Sequence, residues 1–135
     1  WFIKLLMAVL FLSKFSNLQT YNGTPFAYNI ELYEIENNII KVNGWAYFDK
    51  QDAKETVIDI VLLKDNQPIT MMTQKVNRPD VTSYFKSEYD LSNSGFSATI
   101  NTESLKEGEY KIAIYVENKK HNKVGFNISD KIYKK

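Results

Sequence analysis

An all-β sandwich is the fold class this sequence predicts, and three observations carry it. Short runs alternate apolar and polar residues with a period of two. Turn-forming clusters separate those runs at roughly ten-residue intervals. After residue 25 no stretch shows the 3.6-residue periodicity of a long helix. Ahead of this region stands a segment of a different kind.

That segment carries Lys4, then the uninterrupted apolar run Leu5-Leu6-Met7-Ala8-Val9-Leu10-Phe11-Leu12, then Ser13-Lys14. A basic residue followed by about 7–15 apolar residues is the pattern of a secretory signal. The run is shorter than the roughly 20 residues a membrane span needs. Because the chain opens on Trp1 rather than Met, a truncated transmembrane helix is the alternative. No small-x-small cleavage site follows, which weighs against a cleaved signal. Apolar residues occupy every face of the run, whereas a helix packed on a domain shows a polar stripe. Residues 1–20 are therefore expected to be a signal or membrane anchor with the start of a linker. Residues 2–15 are expected to be helical and to stand apart from the domain.

The linker over residues 16–25 is polar and ends in Asn22-Gly23-Thr24-Pro25. A first strand is expected over residues 27–35, where Tyr28, Ile30 and Leu32 share a face, and Asn37-Asn38 turns it into a second over 39–48. A polar loop covers residues 49–55, and the β-branched run 56–63 reads as a buried strand. Lys64-Asp65-Asn66-Gln67-Pro68 turns the chain into a fourth strand over 69–76. After an irregular stretch come strands over 95–100, 110–117 and 123–128, the last two joined by a Lys- and Asn-rich hairpin. About seven strands with such spacing describe an antiparallel sandwich over residues 26–130, preceded by an N-terminal hydrophobic helix.

The bulk composition narrows function more than it assigns it. A chain of 135 residues with 44% hydrophobic and 24% charged residues is one globular domain with a real core. A net charge of +1 argues against a nucleic-acid binder. Lys119, Lys120, Lys123, Lys131, Lys134 and Lys135 gather near the end, as expected of a solvated hairpin tip and terminus. The absence of cysteine excludes disulfides, a thiol nucleophile and thiolate metal sites.

Four motifs occur in order: Gly44-Trp45-Ala46, Arg78-Pro79-Asp80-Val81, Ser94-Gly95-Phe96 and Leu105-Lys106-Glu107-Gly108-Glu109-Tyr110. Together they resemble an immunoglobulin-like β-sandwich accessory domain of bacterial cell-surface and envelope-polysaccharide proteins. The resemblance covers roughly residues 28–128. It implies a non-catalytic extracytoplasmic module that accompanies other modules, and it carries over no functional residue.

The same residues have physical readings of their own. Pro79 biases Arg78 towards an extended conformation, and Asp80 is placed as a cap or turn residue for the amides after it. Residues 81–85 are expected to form one helical turn crossing between the two sheets. An Arg78–Asp80 contact is expected to be structural. Gly95 permits close backbone approach while Phe96 enters the core. On strand parity, Lys41, Asn43, Trp45 and Tyr47 share a face opposite Val42, Gly44, Ala46 and Phe48. Trp45, Tyr47 and Asn43 are then the candidate ligand-binding residues, offering an aromatic platform to a sugar ring. The reading favoured over this platform, because sandwich domains commonly bury a tryptophan near their centre, is a bulge at Gly44 that flips the register and buries Trp45.

No catalytic residue, metal site or cofactor is predicted. His121 sits in a hairpin tip without a second histidine, and Asp49, Asp52 and Glu55 match no calcium loop. The sequons at Asn22 and Asn127 matter only in a glycosylating host. The expected function is a spacer, docking or interaction module of an envelope protein at the cell surface or on the membrane. Its expected partners are the membrane through residues 1–20 and other envelope proteins or domains. The alternative is a carbohydrate-binding module that takes a polysaccharide on Trp45 and Tyr47.

Overall fold

The computed structural model describes residues 23–135. The helix expected over residues 2–15 and the boundary at residue 20 lie outside the described residues. Eight strands follow in order: β1 (Ala27–Glu36), β2 (Ile39–Tyr47), β3 (Thr56–Lys64), β4 (Gln67–Thr70), β5 (Met72–Val76), β6 (Gly95–Asn101), β7 (Glu109–Asn118) and β8 (Lys123–Lys134). One six-residue helix, α1 (Pro79–Tyr84), interrupts them. The first sheet has the order β1-β2-β6-β5 and the second the order β4-β3-β7-β8. Every pairing is antiparallel. The all-β sandwich class is thus as the alternation predicts.

Turn chemistry fixes the register of two hairpins. Asn37 and Asn38 have φ of 53° and 63°, and Asp65 and Asn66 have φ of 51° and 63°. Two consecutive positive-φ residues match the right-handed strand twist, and Asn and Asp tolerate them better than other non-glycine residues. Both hairpins accordingly close with two-residue loops, between β1 and β2 and between β3 and β4.

The expected strand over residues 69–76 is two strands in two different sheets. The chain leaves the second sheet after Thr70 and joins the first at Met72. Met71 is the pivot: its amide donates to the Ile60 carbonyl at 2.9 Å and its side chain is 2% exposed. The Thr73 hydroxyl, in turn, accepts from the Ile60 amide at 3.2 Å. That switch raises the strand count from about seven to eight. At the other end β8 continues to Lys134, past the boundary expected at residue 130.

The core lies between the sheets. Ile40, Val42, Ala46, Phe96 and Ala98 from the first sheet meet Ile58, Ile60, Leu62, Ile112, Ile114 and Val116 from the second. Tyr110 is 1% exposed, and its hydroxyl donates to the Lys106 carbonyl at 2.6 Å, so its polar end is satisfied. Phe26 closes the side of the core, and Thr24 donates its amide to the Val124 carbonyl on β8 at 2.7 Å. The described chain therefore begins beside the edge strand of the second sheet.

Candidate functional site

Strand β2 keeps strict alternation. Val42, Gly44, Ala46 and Phe48 are buried, while Lys41, Asn43, Trp45 and Tyr47 face outward and are half-buried. No bulge occurs at Gly44, which pairs with Ile30 and Phe96 in register. A Cβ there would overlap the Asn29 carbonyl oxygen and press on the Phe96 ring at 3.0 Å, so this inward position has room only for glycine. The irregularity lies on the neighbouring strand instead. The register of β1 shifts between Ile30 and Leu32, leaving Glu31 as the extra residue.

That bulge aims Glu31 at Arg78. The Arg78 guanidinium donates from Nη1 to Glu31 Oε1, from Nη2 to Glu31 Oε2 at 3.1 Å, from Nε to Asp80 Oδ1 at 2.9 Å and from Nη2 to Asp80 Oδ2 at 2.8 Å. Four of its five donors are thereby engaged, which leaves no fork for an external anion. Its pKa is held above the ordinary value, first by Asp80 and then by Glu31. The Asp80 carboxyl is lowered, chiefly by its bond to Arg78. Gly95 completes the arrangement: a Cβ there would overlap the Arg78 Cγ and the Val76 carbonyl oxygen. The Arg78 stem lies where a side chain at 95 would stand, and the Arg78 amide donates to Ser92 at 2.7 Å. Two motifs far apart in sequence are thus one clamp, and Phe96, 1% exposed, enters the core beside it.

The clamp holds α1 over the outer face of the first sheet. Since β5 and β6 are neighbours in that sheet, α1 does not cross between sheets as expected. Its Val81 instead packs with Leu91 and Ala53 as a small buried cluster against Trp45 and Tyr47. The Thr82 hydroxyl accepts from the Leu91 amide at 2.9 Å, and Asp52 Oδ1 accepts from the Asp90 amide at 2.8 Å. Apolar residues at 53, 81 and 91 prefer this cover to water, so the irregular stretch folds back.

An aromatic ladder results. Trp45 stacks on Tyr47 with centroids 5.6 Å apart, and Phe85 meets both edge-on at 5.2 and 5.7 Å. Tyr84 meets Phe85 at 4.9 Å and is 79% exposed. Burial and Asp49 together push the Tyr47 hydroxyl pKa up. Beside the ladder, Asn43 Oδ1 is buried without a hydrogen-bond partner. Trp45, Tyr47 and Asn43 therefore share one face, with the Trp45 ring flanked by Tyr47 and Phe85.

The other singled-out groups stay apart. His121 is exposed at the β7–β8 tip, with its amide donating to Asn118. Asp49 accepts from the Lys50 amide and Asp52 from Asp90. Among the described residues no group of three or more acidic or histidine side chains could hold a metal. A shallow groove of about 360 Å³ lies elsewhere, between Ile39, Met72, Thr99, Ile100 and Asn101, and carries no titratable group.

Sequence reasoning missed Glu31, Tyr84 and Phe85. The adjacent aromatics after Arg78-Pro79-Asp80 were a usable signal, for two large rings in a loop need something to pack on. Nothing in the sequence marks a bulge at Glu31. No protein-family model, no curated protein and no solved structure matches this chain.

Proposed function

We propose that this chain is a non-catalytic extracytoplasmic module of a bacterial envelope protein, acting as a spacer, docking or interaction domain. The observation that carries this reading is the Arg78–Glu31–Asp80 clamp over Gly95. The chain's distinctive charged motif is spent on fixing a crossover to a sheet rather than on lining a pocket. Asp52 and Asp90 are likewise engaged with backbone amides. A hydrolase or transferase needs an acid–base pair or nucleophile held free in a cleft. In this reading residues 1–20 direct export or tether the domain to a membrane, and its partners are other envelope proteins or domains. Assays of the chain for hydrolysis or transfer on envelope polysaccharides test it. The expected result is no turnover, and turnover would overturn the reading.

A second reading is favoured by one feature, the aromatic ladder that ends in the exposed rings of Phe85 and Tyr84. An exposed aromatic face suits a sugar ring. Polysaccharide titration followed by tryptophan fluorescence tests it. Binding that disappears in both Trp45→Ala and Tyr84→Ala supports a carbohydrate-binding module, and binding unaffected by either removes it.

A further inference from the structure

The edge of a sheet leaves a row of amides and carbonyls unpaired, and proteins guard such edges with bulges, prolines, charges or cover. This sandwich has four edge strands, β1 and β5 in the first sheet and β4 and β8 in the second. Among the described residues three of them are guarded. Strand β1 carries the bulge at Glu31 and the exposed carboxylates of Glu34 and Glu36. Strand β4 is four residues long and contains Pro68. Strand β8 breaks register between Ile128 and Ile132, carries Lys123, Lys131 and Lys134, and takes the Thr24 amide at Val124.

Strand β5 is the exception. It pairs with β6 in unbroken register from Met72↔Thr99 to Val76↔Gly95 and contains no proline. Its one charge, Lys75, is tied down: the ammonium donates to the Lys54 carbonyl at 3.2 Å, within the field of the Glu55 carboxylate. Thr73 and Lys75 pair with Ala98 and Phe96 of the core, so Met72, Gln74 and Val76 lie on the outer side. Met72 is 71% and Val76 37% exposed, which leaves apolar side chains in water at both ends of the strand.

The order apolar, amide, apolar reads the same in both directions, and that symmetry selects the partner. We infer that β5 pairs antiparallel with β5 of a second copy of this chain, with Gln74 on the two-fold axis. Two four-stranded sheets then become one of eight, and the amides and carbonyls that β6 leaves free on β5 find partners. Met72 meets the partner's Val76, Gln74 meets the partner's Gln74, and Lys75 meets the partner's Thr73. Other registers are worse. An axis at Lys75 would oppose two ammoniums, and an axis at Thr73 would call on Met71, whose amide is already bonded to Ile60. A net charge of +1 adds little long-range repulsion between copies. The contact uses the same strand on both chains, so it closes at two, and the three guarded edges keep it from growing into a fibre. Five residues per strand make a small interface, and the dimer is accordingly weak and concentration-dependent. The pairing concerns how copies associate and stands or falls independently of the module reading.

The test uses the full chain, which has no native cysteine. Gln74→Cys places one thiol from each copy on the axis, with Cα atoms about 4.5–5.5 Å apart and so within reach of a disulfide. Under mild oxidation Gln74→Cys should form covalent dimer severalfold faster than Thr99→Cys, on the next strand of the same face. Mixed Met72→Cys and Val76→Cys chains should cross-link faster than either alone. Equal rates at 74 and 99 overturn the pairing. Sedimentation of the cysteine-free chain should show a monomer–dimer equilibrium between micromolar and millimolar concentration. Gln74→Lys, which opposes two ammoniums on the axis, should weaken it severalfold and leave the β-sheet spectrum unchanged. A monomer throughout that range, or association that Gln74→Lys leaves intact, also overturns the proposal.

Discussion

The two sheets of this sandwich differ most on their outer sides. The first sheet presents Lys41, Asn43, Trp45 and Tyr47 and covers part of them with its own crossover, α1. The second presents Val57, Val61, Leu63 and Ala113, and among the described residues Phe126 of β8 packs on the last three. One face is covered by a loop held with a charged clamp, and the other is an apolar patch on neighbouring strands. The difference teaches that strand alternation reports burial on both sides of a sheet. Where β2 alternates, one side is core and the other is amphipathic. Where β3 and β7 run apolar on both sides, alternation no longer tells the core side from the outer side.

The shared core sets the scale for that contrast. Phe96→Ala removes a ring 1% exposed and should cost about 3–5 kcal/mol in denaturant unfolding. Trp45→Ala, on the covered outer face, should cost about 2 kcal/mol, since roughly half of a tryptophan's area at ~25 cal/mol/Å² is lost. A loss as large as that of Phe96→Ala would place α1 and its ladder in the main core and erase the distinction. Arg78→Ala should cost about 1 kcal/mol and lose most of that effect in high salt, because Glu31 and Asp80 are partly exposed. A salt-independent loss would mean that packing of the Arg78 stem on Gly95, not charge, holds the crossover.

Acidic groups sharpen the contrast by sign. Asp80 has a lowered folded-state pKa, so its stabilising effect is present above its unfolded value of about 3.9 and lost as pH falls through the lower folded value. Asp59 on the second sheet is raised, so its ionisation destabilises the fold at neutral pH. That penalty is relieved as pH falls through the raised folded value towards about 3.9. Asp59→Asn should therefore raise the denaturation midpoint slightly at neutral pH and leave it unchanged below about pH 4. An equal gain at both pH values would show that the effect is not one of ionisation.

The parts legible in the sequence follow from local rules. Alternation located the strands, and Asn37-Asn38 and Asp65-Asn66 marked tight turns because few residues tolerate two positive φ angles in succession. The parity of β2 placed Trp45, Tyr47 and Asn43 on one face, whereas the bulge at Gly44 favoured from the habit of sandwich domains does not form and Trp45 is half-buried under α1 instead. What escaped depends on contacts distant in sequence. The sheet switch at Met71 sits inside an uninterrupted β-like run, since a pivot with an inward side chain keeps the alternation intact. The bulge at Glu31 and the partnership of Arg78 with Gly95 arise only once β1, β5 and β6 are side by side. Residues 81–85 read as an inter-sheet crossing because a helical turn carries no sign of which strands it joins.

Thiol accessibility beneath the crossover tests the account most directly. A single cysteine at Ala53→Cys, 1% exposed in the cluster under α1, would be labelled with a maleimide in the otherwise native chain and in Arg78→Ala. The account predicts that Arg78→Ala speeds labelling at 53 severalfold, because the clamp holds α1 over the first sheet, while labelling of Val57→Cys on the second sheet stays the same. Equal rates at 53 with and without the Arg78 substitution, or an equal rise at 57, would contradict it.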